Sequence, residues 1–224
     1  MPTLSAALSR LTRPVVATLD KGLVLSTSFW FRPPGWATPA LVTTAHGLEG
    51  VRRITLPGEP RLDLRPSGLV RHPDPDVDLA LLVVEPRTDA WMEAGWVPEG
   101  ARHDALEPIE PILVLGHPLG LGAAGQPVTR TGITATDPRR PHHGRPEFLI
   151  DVPCYPGTSG SPVLRYRPDD AAPVLLLGVV IGGPALSEDA RTGGLADWPK
   201  ADTFHLGVAT DARHLLGFQP STSR

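Results

Sequence analysis

Apolar and polar residues along this chain come in short blocks that end at Pro, Gly and Asp. Runs rich in Val, Ile, Leu and Thr lie at 14–19, 23–32, 40–45, 51–56, 67–71 and 79–85. After a gap they resume at 111–116, 128–136, 147–152, 161–165, 173–182 and 204–210. Each has the length of a single strand rather than of a helix. Twelve short strands between turn residues predict an all-β fold, a sandwich or a barrel. Helical signals are few. One is a weak periodicity at 3–12 (TLSAALSRLT), and the other is DARHLL at 211–216, where Asp211 is placed to cap a short helix.

The gap at 86–110 (PRTDAWMEAGWVPEGARHDALEPIE) breaks the strand pattern with prolines, acids and two tryptophans. It reads as a linker that divides the strands six and six, into a first unit at 1–100 and a second at 101–224. Trp91 and Trp96 are expected to pack between the units. Two further irregular segments, 137–147 and 183–203, are long enough to expect function or mobility. The chain shows no internal repeat, heptad or low-complexity tract.

Composition narrows the classes. The 224 residues are 41% apolar, enough for a core, and their 23 glycines and 27 prolines suit a turn-rich β protein. Lys and Arg number 21 against 24 Asp and Glu, a formal charge of −3. No basic excess is available to track phosphates, so no nucleic-acid partner and no membrane partner are expected. Charges or prolines interrupt every apolar run well short of a membrane span. The N-terminus lacks the basic start and apolar stretch of a secretory signal. The single cysteine, Cys154, cannot pair within the chain, so a cytoplasmic location is expected.

Candidate chemistry sits in three segments: LVTTAHG at 41–47, DVDLALL at 76–82 and GTSGSP at 157–162. A nucleophilic serine needs an imidazole base, and the base needs a carboxylate to fix its tautomer and stabilise the imidazolium. His46, Asp78 and Ser159 supply that set as candidate catalytic residues. LVTTA carries His46 to a strand end, and LALLVV reads as a buried strand that anchors Asp78 at its start. Gly157 and Gly160 flank Ser159 and permit a sharp turn. In that turn the amides of Gly157 and Ser159 would form an oxyanion hole.

With these residues, in the order His, Asp, Ser, the chain resembles the chymotrypsin-like (trypsin-like) serine peptidases. It is most similar to their bacterial HtrA-type branch, through TSFWF, TTAHG, DVDLALLVV, VLGHPLGLG, PVTRTGITAT, PGTSGSPVL and LLGVVIGG, which span roughly residues 14–210. The resemblance implies two six-stranded antiparallel β-barrels meeting at a cleft, with His46 and Asp78 from the first and Ser159 from the second. It implies a serine endopeptidase that cleaves protein or peptide substrates through an acyl-enzyme, with no cofactor and no metal. Only a short stretch follows the last strand run, so no PDZ domain is expected, and control falls to loops or a regulatory protein partner. Thr158 stands where propeptide-activated members carry an aspartate, which disfavours that activation route. Ser161 replaces the second glycine common in the family's motif.

By the same resemblance Pro153 lies near the base of the primary specificity pocket, with Gly183 and Gly207 on its walls. No acid sits at that base, so a small or medium apolar side chain is expected over a basic one. Val180 stands where glutamyl endopeptidases carry histidine, which argues against acidic specificity. Glu188 and Asp189 on the 183–203 loop, and His205, are further candidates near the pocket.

Other readings fit less well. A nucleophile elbow of the α/β-hydrolase kind needs glycine where Ser161 stands, and a parallel sheet with helices. Cys154, at a proline-bounded strand end, reads as a buried or half-buried thiol rather than a nucleophile. No histidine pair, His142–His143 included, has the spacing of a zinc hydrolase. His117 in LGHPLG reads as a turn residue, and RRPHHGR at 139–145 as a solvated turn. A different class stays open: a binding or adaptor module on the same fold, with a latent triad.

Overall fold

The longest strands, β1 (Thr12–Leu19) and β2 (Gly22–Arg32), form one hairpin whose register runs from Thr12 opposite Phe29 to Leu19 opposite Gly22. The structure is a computed structural model that describes residues 8, 10–20, 22–57, 68–86, 88–121, 126–184 and 205–220. Around the hairpin assemble β3 (Ala40–Thr43), β4 (Arg53–Thr55), β5 (Leu69–Arg71) and β6 (Ala80–Leu82), in the order β4-β1-β2-β3-β6-β5, all antiparallel.

A second antiparallel sheet follows the linker. It holds β8 (Pro111–Gly116), β9 (Val128–Ile133), β10 (Glu147–Ile150), β11 (Pro162–Tyr166), β12 (Val174–Gly182) and β13 (Gly207–Asp211). Their order is β10-β13-β12-β11-β8-β9. Its two edges meet: Thr134 bridges Ile150, and the Asp151 amide donates to the Ile133 carbonyl at 2.9 Å. A sheet closed in this way has satisfied its edge groups within itself. The expected all-β architecture of two six-stranded antiparallel units is therefore present.

The linker is more structured than its sequence suggests. It contains a two-residue strand, β7 (Met92–Glu93), which runs parallel to β2, and a short helix, Ala101–Asp104. Met92 and Val97 are fully buried, so burial rather than strand propensity fixes this segment. The 211–216 signal is correct: Asp211 accepts from the Arg213 amide at 2.8 Å and caps a 3-10 turn over Ala212–Gly217. Most of the 3–12 signal lies outside the described residues, where Leu8, Arg10 and Leu11 are helical. Residues 185–204, with Glu188 and Asp189, also lie outside them.

Successive side chains point to opposite faces, and in β2, β3 and β12 both faces are buried, one of them within its own sheet. Val15, Trp30, Leu41, Ile54 and Leu82 fill the first sheet's interior, and Ile112, Phe148, Val163 and Leu177 fill the second's. The largest cluster belongs to neither alone. Phe29, Phe31, Val42 and Leu81 of the first sheet pack with Leu115, Leu164, Leu176 and Val179 of the second, closed by Leu215 and Phe218 after β13. Each such side chain removed from water stabilises the packing by about 1.5–3 kcal/mol. Trp96 packs on this shared core as expected. Trp91 instead packs on the first sheet's cluster, with the Arg32 guanidinium 5.8 Å from its ring centroid.

Candidate active site

The pairing of β3 with β6 sets Thr43 opposite Ala80. Continued past these residues, the register brings the 3-10 turn His46–Leu48 opposite the turn that carries Asp78, at one end of the first sheet. The Ala45 amide donates to the Asp78 carbonyl at 3.4 Å and joins the two turns. The Asp78 carboxylate then holds His46 twice. Oδ1 accepts from the His46 amide at 2.7 Å, and Oδ2 pairs with ring Nδ1. With the proton on Nδ1, Nε2 is left as the basic nitrogen. The hydrogen bond to Asp78 raises the His46 pKa above its ordinary value; burial opposes the rise and the Asp78 charge adds to it.

Ser159 lies in the loop before β11. The loop's peptide groups divide in a regular way: the Thr158 amide donates to Tyr155 O at 2.9 Å, and the Gly160 amide to Val180 O at 2.7 Å. Among the described residues the amides of Gly157 and Ser159 have no partner. The carbonyls on the far side of those two peptides are occupied. Pro156 O accepts from the Leu119 amide at 2.6 Å and Thr158 O from the Ser161 amide at 3.0 Å. An N–H points opposite its own peptide's carbonyl, so each of these two amides faces away from the donor that holds its peptide's carbonyl. Two free amide donors close together in one loop are the groups from which an oxyanion site is built.

Gly160 is needed here because its φ is +88° and a Cβ would overlap the Thr27 carbonyl oxygen. The Ser159 carbonyl accepts from the Thr27 amide at 2.7 Å, so the Ser159 loop is seated against β2 of the first sheet. The Ser159 hydroxyl donates to Ile181 O at 3.4 Å. The structure thus brings His46 and Asp78 into direct contact, and turns the Ser159 hydroxyl toward Ile181.

Pro153, Cys154 and Gly207 adjoin one another. A Cβ on Gly207 would stand 2.5 Å from Cys154 Sγ, and Pro153 O accepts from the Arg130 guanidinium at 2.8 Å. That guanidinium lies 4.9 Å from the centroid of the Tyr155 ring. Gly183 faces the backbone of Leu206, and His205 is exposed. Burial pushes the Cys154 thiol up to about 11, against an opposing pull from Arg130. Among the described residues no group of three potential metal ligands occurs.

Two residues near the loop differ from, or escape, the sequence reading. His117 does open a turn, the 3-10 turn Pro118–Gly120 whose Gly120 amide donates to its carbonyl at 3.3 Å, but its side chain is buried, 1% exposed. Its Nε2 lies 3.2 Å from Thr12 Oγ1, and its amide donates to Thr27 Oγ1 at 2.8 Å. Leu119 has a left-handed backbone, φ +54°, and supplies the amide that holds Pro156. The apolar run before His117 was the only local sign of its burial.

Residues 27–168 match the family described as Trypsin-like peptidase domain. Among solved structures, the HtrA-type protease AlgW with tripeptide superposes with a TM-score of 0.62 at 20% identity, over 96% of this chain and 62% of that one. The active form of the Rv3671c protease from M. tuberculosis gives 0.60 at 20% identity, over 96% and 85%. A thermostable serine protease, AL20, from an extremophilic microorganism gives 0.57 at 14% identity, over 97% and 100%. At these identities the likeness is one of fold. The chain spans about 60% of the AlgW chains it matches. No curated protein matches it in sequence.

Proposed function

The chain belongs to the family of trypsin-like peptidase domains, and we propose that it is a serine endopeptidase that cleaves protein or peptide substrates through an acyl-enzyme. The observation that carries this reading is the double hold of Asp78 on His46, through the backbone amide and through ring Nδ1.

In the proposed cycle Ser159 Oγ leaves Ile181 O, turns to His46 and attacks the scissile carbonyl while Nε2 takes its proton. Negative charge gathers on the carbonyl oxygen and is met by the amides of Gly157 and Ser159. The imidazolium, held by Asp78, returns the proton to the leaving amine. Water then attacks the ester with His46 again as base, releasing the acid and restoring Ser159. These roles follow the serine-triad template.

The pocket formed by Pro153, Gly183 and Gly207 takes a small or medium apolar side chain in this reading. The Arg130 guanidinium behind Pro153 supports it, since a positive charge there disfavours lysine or arginine. Main cuts after basic residues in a peptide library would refute it. A cytoplasmic setting and control by a regulatory protein partner, as in a bacterial effector protease, belong to the same proposal. A second reading, a latent or adaptor module, is favoured by one observation: the Ser159 hydroxyl rests on Ile181 O.

A fluorophosphonate probe with intact-mass readout separates the two. The peptidase reading expects one adduct on the wild type and none on Ser159→Ala. No adduct on either supports the latent module.

A further inference from the structure

Four consecutive carbonyls, Pro156 to Ser159, are each held by one donor. Pro156 O takes the Leu119 amide at 2.6 Å, Gly157 O takes Thr27 Oγ1 at 2.7 Å, Thr158 O takes the Ser161 amide at 3.0 Å, and Ser159 O takes the Thr27 amide at 2.7 Å. Two of the four donors belong to Thr27, a fully buried residue of β2 in the other barrel. Thr27 is itself fixed from two sides. Its carbonyl accepts from Thr43 Oγ1 at 2.8 Å, and its hydroxyl accepts from the His117 amide at 2.8 Å. Thr43 ends the strand that leads into His46. One residue thus joins the strand leading to the base to the loop that carries the nucleophile.

The hydroxyl matters for a local reason. Gly157 has φ +96°, and glycine samples many neighbouring angles at little cost, so the Gly157–Thr158 peptide depends on the bonds at its two ends: its N–H donates to Tyr155 O at 2.9 Å, and its carbonyl accepts from Thr27 Oγ1 at 2.7 Å. That peptide lies between the two that present the unpartnered amides. If it turns, the directions of both N–H vectors change with it. The bond from Thr27 Oγ1 fixes its carbonyl, and the His117 amide donating into the same hydroxyl polarises the chain of bonds in one direction.

We infer that Thr27 is a positioning residue for the oxyanion hole: its hydroxyl sets the Gly157–Thr158 peptide and its amide sets the carbonyl of Ser159. The inference rests on the serine-peptidase reading and assigns Thr27 no contact with substrate. It predicts a loss expressed at the transition state, because a misaimed donor is worth less when charge develops than when the neutral substrate binds.

The test compares wild type with Thr27→Val, which keeps the shape and removes the hydroxyl, and Thr27→Ser, which returns it. On a peptide substrate Thr27→Val is expected to lower kcat about 10- to 100-fold, part of the loss caused by deleting an oxyanion donor outright. Fluorophosphonate labelling should slow in parallel, while KM and the midpoint of the acid limb of the pH profile stay where they are. Thr27→Ser should recover kcat to within about threefold of wild type. Should Thr27→Val fail to fold, Thr27→Ala carries the same expectation with less volume to accommodate. Folded hydroxyl-free variants with wild-type kcat, or with a raised KM alone, overturn the inference while leaving the peptidase reading intact. A wild type that takes no adduct overturns both.

Discussion

The Asp78 carboxylate uses both oxygens on a single residue, one on the His46 amide at 2.7 Å and the other on ring Nδ1. The first bond places the backbone of the turn, and the second places the ring and its proton. Asp78→Asn replaces one acceptor with a donor, which disfavours the tautomer that leaves Nε2 free. Its kcat is expected to fall by about 10⁴-fold, as in the serine-triad template, with the fold retained. Steady-state kinetics beside a circular-dichroism melt checks this, and a loss below tenfold would remove Asp78 from the catalytic set.

The acid limb of the pH profile follows from the raised pKa of His46, whose largest cause is the hydrogen bond to Asp78. The base works when neutral, so kcat/KM should rise with a midpoint above the ordinary histidine value of about 6.5. Stability has the opposite sense. A histidine with its pKa raised by folding contributes stability that is complete below the unfolded pKa and is lost as pH rises through the folded one. The Tm advantage of wild type over His46→Ala should therefore shrink as pH is raised through that window. An advantage that grows instead would contradict the assignment.

Gly160→Ala places a methyl group on the Thr27 carbonyl at a backbone angle of +88°. Strain and overlap together should cost at least about 2 kcal/mol, read from urea unfolding, and adduct formation at Ser159 should be lost. A variant as stable and as reactive as wild type would mean that the loop does not sit against β2.

Cys154 should be inert. With its thiol pushed up to about 11, only about 0.1% is thiolate at pH 8, so iodoacetamide should label it slowly unless the chain is unfolded. Peptidase activity should survive the treatment. Rapid labelling of the folded protein would show that the thiol is not buried against Gly207.

Much of the fold could be read from the short apolar runs at 14–19, 23–32 and 173–182, because turn residues bound them at strand length. The pair Met92–Glu93 escaped notice because a two-residue parallel contact with Phe31 and Arg32 depends on packing, with too few residues to show a period. At the site, His46 and Asp78 were legible through the strands that flank them. Thr27 and His117 were not. Thr27 finds Gly157 130 positions away and His117 90 away, and nothing in VLSTSFWF or VLGHPLG records those partners. The orientation of the Ser159 hydroxyl toward Ile181 is likewise a matter of rotamer, on which sequence is silent.

With Ser159 in the proposed role, the seating of its loop on Thr27 would also make turnover a gauge of how well the two sheets are docked. A slight parting of the shared core would stretch the Thr27 bonds before either sheet loses its own ladder. On slow heating, turnover should fade at a lower temperature than the far-ultraviolet signal of the strands. The enzyme would then switch off while still almost wholly folded, and on cooling would recover as fast as two preformed halves can close.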